Sequence, residues 1–284
     1  MDLIAEVFDD RPCQLGEGPL WHPEREQLFW FDITAGRLLS RVEDRPLEWL
    51  FDEMVSAAGW VDRETLLIAS ESALFRFDLT TGARDDIVAL EADNPANRSN
   101  DGRADPHGGF WIGTMGKAAE PGAGAIYRWC RGELRLLHAD ITIPNSICFA
   151  PDGRRAYFAD TATHRIMTQT VDDQGWPDAA PEVFADLTAE ALHPDGAVID
   201  AEGALWSAQW GRARVARYLP NGSLERDISL PGHHTSCPAF GGSDFASMFV
   251  TTAREGLASP GPQEGLTYRV ILDATGLPEP RVIL

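Results

Sequence analysis

A recurrence along the chain limits its fold more than any other feature. "PEREQLFWFDITAGRLLSRV", "DRETLLIASESALFRFDLTTGA", "DPHGGFWIGTMG…GAIYRWCRGELRLL", "APDGRRAYFADTATHRIMTQTV" and "DAEGALWSAQWGRARVARYLPNGSLERDI" all read as strand, tight turn, strand. Each turn carries an acid or a glycine, and glycine supplies the positive φ that hairpins need. Helical periodicity is hard to find in any long window. Six openings precede these hairpins, beginning at Glu17, Ala57, Asp101, Asn145, Asp195 and Cys237. They are spaced by about 40 to 50 residues, the repeat length of a four-stranded propeller blade. The expected fold is therefore an all-β, six-bladed β-propeller of four-stranded antiparallel blades, forming one domain over residues 1–284. The stretch after Cys237 is too short for four strands. The early segment "LIAEVF" can supply the missing outer strand and close the ring, which removes an exposed edge. A β-sandwich with many hairpins leaves the fixed period unexplained.

Composition removes several function classes. The formal charge of -20 argues against nucleic acid or an anionic membrane as partner, since both require a basic footprint. No run approaches the ~18 apolar residues of a membrane span. The beginning "MDLIAEVFDD" is acidic and lacks the features of a secretory signal. Cys13, Cys130, Cys148 and Cys237 form no CxxC pair, so free thiols in a cytoplasmic setting are expected.

In a propeller the first strand of each blade lines the central channel. Four of the six equivalent positions bear side-chain oxygens: Glu17, Asp101, Asn145 and Asp195. Taken singly, each is an ordinary turn residue at a strand start. Taken as a set converging on one axis, they would repel one another unless a cation sat among them. Hard oxygen donors favour Ca²⁺, Mg²⁺ or Mn²⁺. Arg98 and Asn100 in "NRSNDG" stand just ahead of Asp101, where a guanidinium can neutralise an acid or hold a substrate oxygen. The histidines are weaker candidates. His22 and His107 fall on hairpin turns, His193 precedes Pro194-Asp195 near the rim, and His233-His234 lie on the loop entering the sixth blade. No GxSxG nucleophile motif accompanies them. Trp111, Trp206 and Trp210 read as packing between blades, with a pocket wall the second reading for Trp210, near the end of its strand.

Five ordered blocks carry a resemblance: "LGEGPLWHP…LFWFDI", "NRSNDGRADPHGGFWIGTMG", "IPNSICFAPDGRRAYFADT", "PDGAVIDAEGALWSAQWG" and "SCPAFGGSDFASMFVTTARE". With these, the chain resembles the family of senescence marker protein (regucalcin) and bacterial gluconolactonases from about residue 13 to 256. The resemblance implies one divalent cation held by Glu17, Asn145 and Asp195, with Ca²⁺ foremost and Zn²⁺, Mn²⁺ or Mg²⁺ also compatible. It implies substrate contacts from Arg98 and Asn100, with Asp101 near the cation but not a ligand. It implies hydrolysis of a small sugar lactone to the open-chain sugar acid, with Asp195 activating water. Two other readings of the same site are a phosphotriesterase or aryl esterase, and a calcium-binding propeller without catalysis. A monomer or a weak homo-oligomer is expected. One stretch departs from the family: mammalian members carry acids soon after Gly-Thr-Met, where this chain has Gly116-Lys117-Ala118, with Glu120 slightly later.

Overall fold

A computed structural model describes residues 4–284. The first strand is β1 (Glu6–Asp9). Blade 1 is β2 (Gly16–His22), β3 (Gln27–Asp32), β4 (Arg37–Val42) and β5 (Arg45–Leu50). Blade 2 is β6 (Val55–Asp62), β7 (Thr65–Ser70), β8 (Ala73–Asp78) and β9 (Arg84–Ala89). Blade 3 is β10 (Asn97–Ala104), β11 (Phe110–Gly116), β12 (Gly124–Cys130) and β13 (Glu133–Ile141). Blade 4 is β14 (Pro144–Phe149), β15 (Arg155–Asp160), β16 (Arg165–Thr170) and β17 (Glu182–Asp186). Blade 5 is β18 (His193–Ile199), β19 (Leu205–Trp210), β20 (Arg214–Tyr218) and β21 (Leu224–Ser229). Blade 6 is β22 (His234–Gly241), β23 (Ser247–Ala253) and β24 (Thr267–Ile271), completed by β1 on the outside.

Every sheet is antiparallel, and each inner strand packs against the inner strands of both neighbouring blades, so the ring is closed. The closing pair sets Glu6 opposite Arg269 and Val7 opposite Tyr268. This is the expected propeller, with the closing strand at Glu6–Asp9 within and just past "LIAEVF"; Leu3 of that segment lies outside the described residues. The second strands are buried on both faces, because each blade is sandwiched between two others. Such strands read as continuous apolar runs. "LFWF" and "LLIA" are examples. The outer strands β5 and β13 face solvent, with no fully buried residue in either. Trp30, Trp111 and Trp206 are fully buried. Trp111 and Trp206 pack in inter-blade clusters, as expected from the sequence. All four cysteines are free. Among the described residues no helix is long and apolar enough to cross a membrane.

The last residues form a strap that the repeat pattern does not reveal. It is tied to blades 5 and 6 through Ala201 N to Thr275 O and Gly276 N to Phe245 O. It then crosses to blades 2 and 3, where Val282 N bonds Trp60 O and Ile283 N bonds Gly108 O. Midway, Glu279 is buried against the guanidinium of Arg103, which also donates to Ile147 O and Ala197 O. The strap therefore closes one end of the channel and leaves the other end open.

Candidate active site

Each of the six inner strands breaks register with its neighbour once or more. Glu17 and Asn145 are the last paired residues before the break, opposite Phe31 and Ala159. Asn100, Asp101 and Asp195 lie within it. Ala57 and Cys237 pair just after it. The six openings are thus not in strict register, as the repeat alone suggested. They are offset by a residue or two, and the bulge re-aims neighbouring positions toward one spot. Gly18 and Ser146, directly after Glu17 and Asn145, both have positive φ, at 53° and 57°. Glycine suits Gly18, where a Cβ would also meet Ser56 O at 2.3 Å. Ser146 carries roughly 1–2 kcal/mol of backbone strain. Its hydroxyl donates to Asp195 O at 2.5 Å, tying blade 4 to blade 5.

The open end of the channel holds a cavity of about 580 Å³. Glu17, Arg98, Asn100, Asn145 and Asp195 all line it, although they come from four different blades. The sequence-derived candidates are therefore brought together. A chain of hydrogen bonds orients them. Arg98 Nη1 donates to Asn100 Oδ1 (2.7 Å) and Ser99 O (2.9 Å). Asn100 Nδ2 donates to Asn145 Oδ1 (3.1 Å) and Pro144 O (2.9 Å). Asn145 Nδ2 donates to Thr161 Oγ1 (2.8 Å), which donates to Pro194 O (2.7 Å). Leu15, Met115, Ile143 and Trp210 make an apolar wall.

Asp101 sits deeper and does not line the cavity. Its Oδ2 accepts from Ile147 N at 2.7 Å, which holds the blade 4 bulge. Ala57 and Cys237 are buried away from the cavity. His22 and His107 are bound to backbone at hairpins, through Asp62 O and Gly153 O. His193 and Trp210 do reach the cavity wall. Lys117, Ala118 and Ala119 line its rim, while Glu120 turns back onto Ala118 N. Thr161 and Ser146 were missed from the sequence, and nothing local marks them. Glu255 also lines the cavity and ends the quoted "TTARE" block.

The electrostatics of the acids are unusual for this molecule. Apart from Glu17, Asp195 and the deeper Asp101, buried carboxylates here pair with an arginine, as Glu279 does with Arg103, Asp105 with Arg128 and Asp200 with Arg217. Glu17 and Asp195 are each 5% exposed and, among the described residues, have no such ion pair. Burial, together with the charge of Asp101, pushes Glu17 up to about 8. Burial and the neighbouring Glu17 and Asp101 charges push Asp195 well above the usual carboxylate range. Burial lifts Asp101 to about 6. Burial also pulls the Arg98 guanidinium down. Acids this perturbed in a cavity mark functional sites. Among the described residues no three His, Cys, Asp or Glu side chains come together to hold a metal ion. The convergent set is two carboxylates and an amide oxygen with a lone pair to spare. That donor chemistry fits a hard divalent cation.

A closed ring, a cavity blind at one end and a cluster of perturbed acids define a propeller enzyme acting on a small molecule. Residues 15–254 match the SMP-30/Gluconolactonase/LRE-like region, and the chain belongs to that family. It is similar to L-arabinolactonase of Azospirillum brasilense, at 35% identity over 89% of this chain and 86% of the relative. It is similar to a pentonolactonase of Haloferax volcanii, at 32% identity over 95% of each chain. Its structure resembles regucalcin of Agrobacterium tumefaciens, described as a calcium-binding protein, with a TM-score of 0.97 and 41% identity, covering 100% of this chain and 99% of that one. The chain is a hydrolase of the lactonase class.

Proposed function

We propose that this chain hydrolyses a sugar-acid lactone to the open-chain sugar acid. The observation that carries the reading is the pair of buried acids without arginine partners, Glu17 and Asp195, facing one cavity with Arg98 and Asn100. Glu17, Asn145 and Asp195 would hold a divalent cation, which when bound supplies Lewis acidity toward the lactone carbonyl oxygen. Asp195 takes a proton from the water that attacks the carbonyl carbon. It returns that proton to the ring oxygen as the ring C–O bond breaks. Arg98 and Asn100 hold ring hydroxyls and so fix the orientation of the ring. Thr161 keeps Asn145 aimed inward. Leu15, Met115, Ile143 and Trp210 cover C–H faces of the sugar and exclude bulk water. No side-chain nucleophile is required.

A second reading, cation binding without turnover, draws on the calcium-binding structural relative. Stripping the protein with chelator and restoring Ca²⁺, Mg²⁺, Mn²⁺ or Zn²⁺ separates the two. Acid release from sugar lactones, followed with a pH indicator, should return with at least one ion. Tight binding with no acid release would favour the second reading. Faster turnover of a phosphotriester than of any lactone would replace the substrate class.

A further inference from the structure

Of the 24 basic residues in this chain, 23 are arginine and one is lysine. That single lysine, Lys117, lines the rim of the candidate active site. At solvated positions the two residues substitute freely, but they differ chemically. Lysine presents a compact, mobile ammonium with three donors, and arginine a planar fork.

The local structure holds the stem of Lys117, and its head is ion-paired at the rim. Its backbone N donates to Ala96 O at 2.8 Å, and Ala119 N closes a turn onto Gly116 O at 2.8 Å. The side chain is 34% exposed, and its Nζ lies 2.8 Å from Glu71 Oε2 on the loop after β7 of blade 2. An ammonium has three donors, so pairing with Glu71 leaves capacity for a second anionic partner at the rim. The other charged groups on the wall are Glu17, Asp195, Arg98 and Glu255. The first three already have roles in lactone binding and hydrolysis, so Lys117 is the cation without one. On a molecule of net charge -20, an ammonium at a cavity mouth is a local point of attraction for an anion.

We propose that Lys117 is a specificity-determining residue that binds an ionised group at the end of the substrate remote from the lactone carbonyl. The preferred substrate is then a sugar lactone bearing a second acid group, carboxylate or sulfonate, rather than a neutral aldonolactone. This rests on the lactonase reading above.

The test compares kcat/KM for a glucarolactone, which carries a free carboxylate, with that for gluconolactone, in wild type, Lys117→Met and Lys117→Arg. The wild type should favour the acid-bearing lactone, and the preference should shrink as salt is raised. In Lys117→Met the ratio should fall roughly 10- to 100-fold, as loss of one hydrogen bond to a charged group implies. The change should appear chiefly in KM. Lys117→Arg should restore most of the ratio. A wild type that favours gluconolactone, or a Lys117→Met variant that slows both substrates equally, overturns the assignment. A folded, metal-loaded wild type that hydrolyses neither lactone refutes the lactonase reading itself.

Discussion

Replacing Glu17 with glutamine should raise the stability of the metal-free protein while removing its response to cations. The carboxyl of Glu17 is buried without a cationic partner, and burial together with Asp101 lifts it from 4.5 to about 8. The unfolded chain loses this proton near pH 4.5, whereas the folded chain keeps it to about pH 8. Folding stability therefore falls as pH rises through that window. At pH 7 the loss is on the order of 3 kcal/mol, and it is larger by pH 8. In Glu17→Gln the side-chain amide keeps an oxygen for Gly18 N, which in the wild type donates to the carboxylate at 3.0 Å. The substitution also relieves Asp195, for which Glu17 is the chief neighbouring charge. In chelator at pH 8, the variant should melt about 5 °C or more above wild type. At pH 5 the two should converge. Added Ca²⁺ narrows the gap. At 100-fold excess over its dissociation constant, a ligand of the folded state adds about 2.7 kcal/mol. Wild type should gain this, and the variant, with one ligand oxygen uncharged, should gain little. Scanning calorimetry from pH 5 to 8.5, with and without Ca²⁺, measures both effects. If the variant melts no higher than wild type in chelator and gains as much from Ca²⁺, Glu17 does not belong to a cation cluster.

Three further outcomes follow from the same geometry. Asp195→Asn should leave the fold intact and cut lactone turnover by about 10²- to 10⁴-fold, the range for loss of a general base; near-normal turnover would remove Asp195 from the chemistry. Thr161→Val removes the hydroxyl that both holds Asn145 Nδ2 and bonds Pro194 O. Cation affinity in a titration should fall by about 5- to 10-fold, as loss of one hydrogen bond implies, and an unchanged affinity would show that Asn145 is not a ligand. Glu279→Ala leaves Arg103 buried and unpaired at the closed end of the channel. Denaturant unfolding should show a loss of about 3–5 kcal/mol, and a loss under about 1 kcal/mol, the range of an exposed pair, would mean the strap does not latch the ring.

Much of the site was legible in the sequence because a propeller turns a linear repeat into a radial one. Spacing picked out Glu17, Asp101, Asn145 and Asp195, the family resemblance narrowed them to Glu17, Asn145 and Asp195, and the cavity gathers those three with Arg98 and Asn100. The resolution of that reading stops at one or two residues. Asp101 aligns as well as its neighbours in sequence, yet its carboxylate is occupied with Ile147 N. The bulges decide this, and a bulge leaves no reliable trace in hydrophobic alternation. Thr161 was invisible for a different reason. It belongs to a turn after β15, and it matters only because blades 4 and 5 pack side by side.

The sequence by itself determined the number of blades, the all-β class and the need for an N-terminal closing strand, because these follow from local strand and turn chemistry repeated at a fixed period. It also placed the family's motifs in order. Only the tertiary structure decided which acids share a cavity and which are spent on backbone. It alone showed the strap of Glu279 closing the far end and Lys117 standing at the rim beside Glu71. Those facts depend on contacts between residues far apart in the chain. Burial and charge proximity, which set the state of Glu17 and Asp195, exist only once the ring has closed.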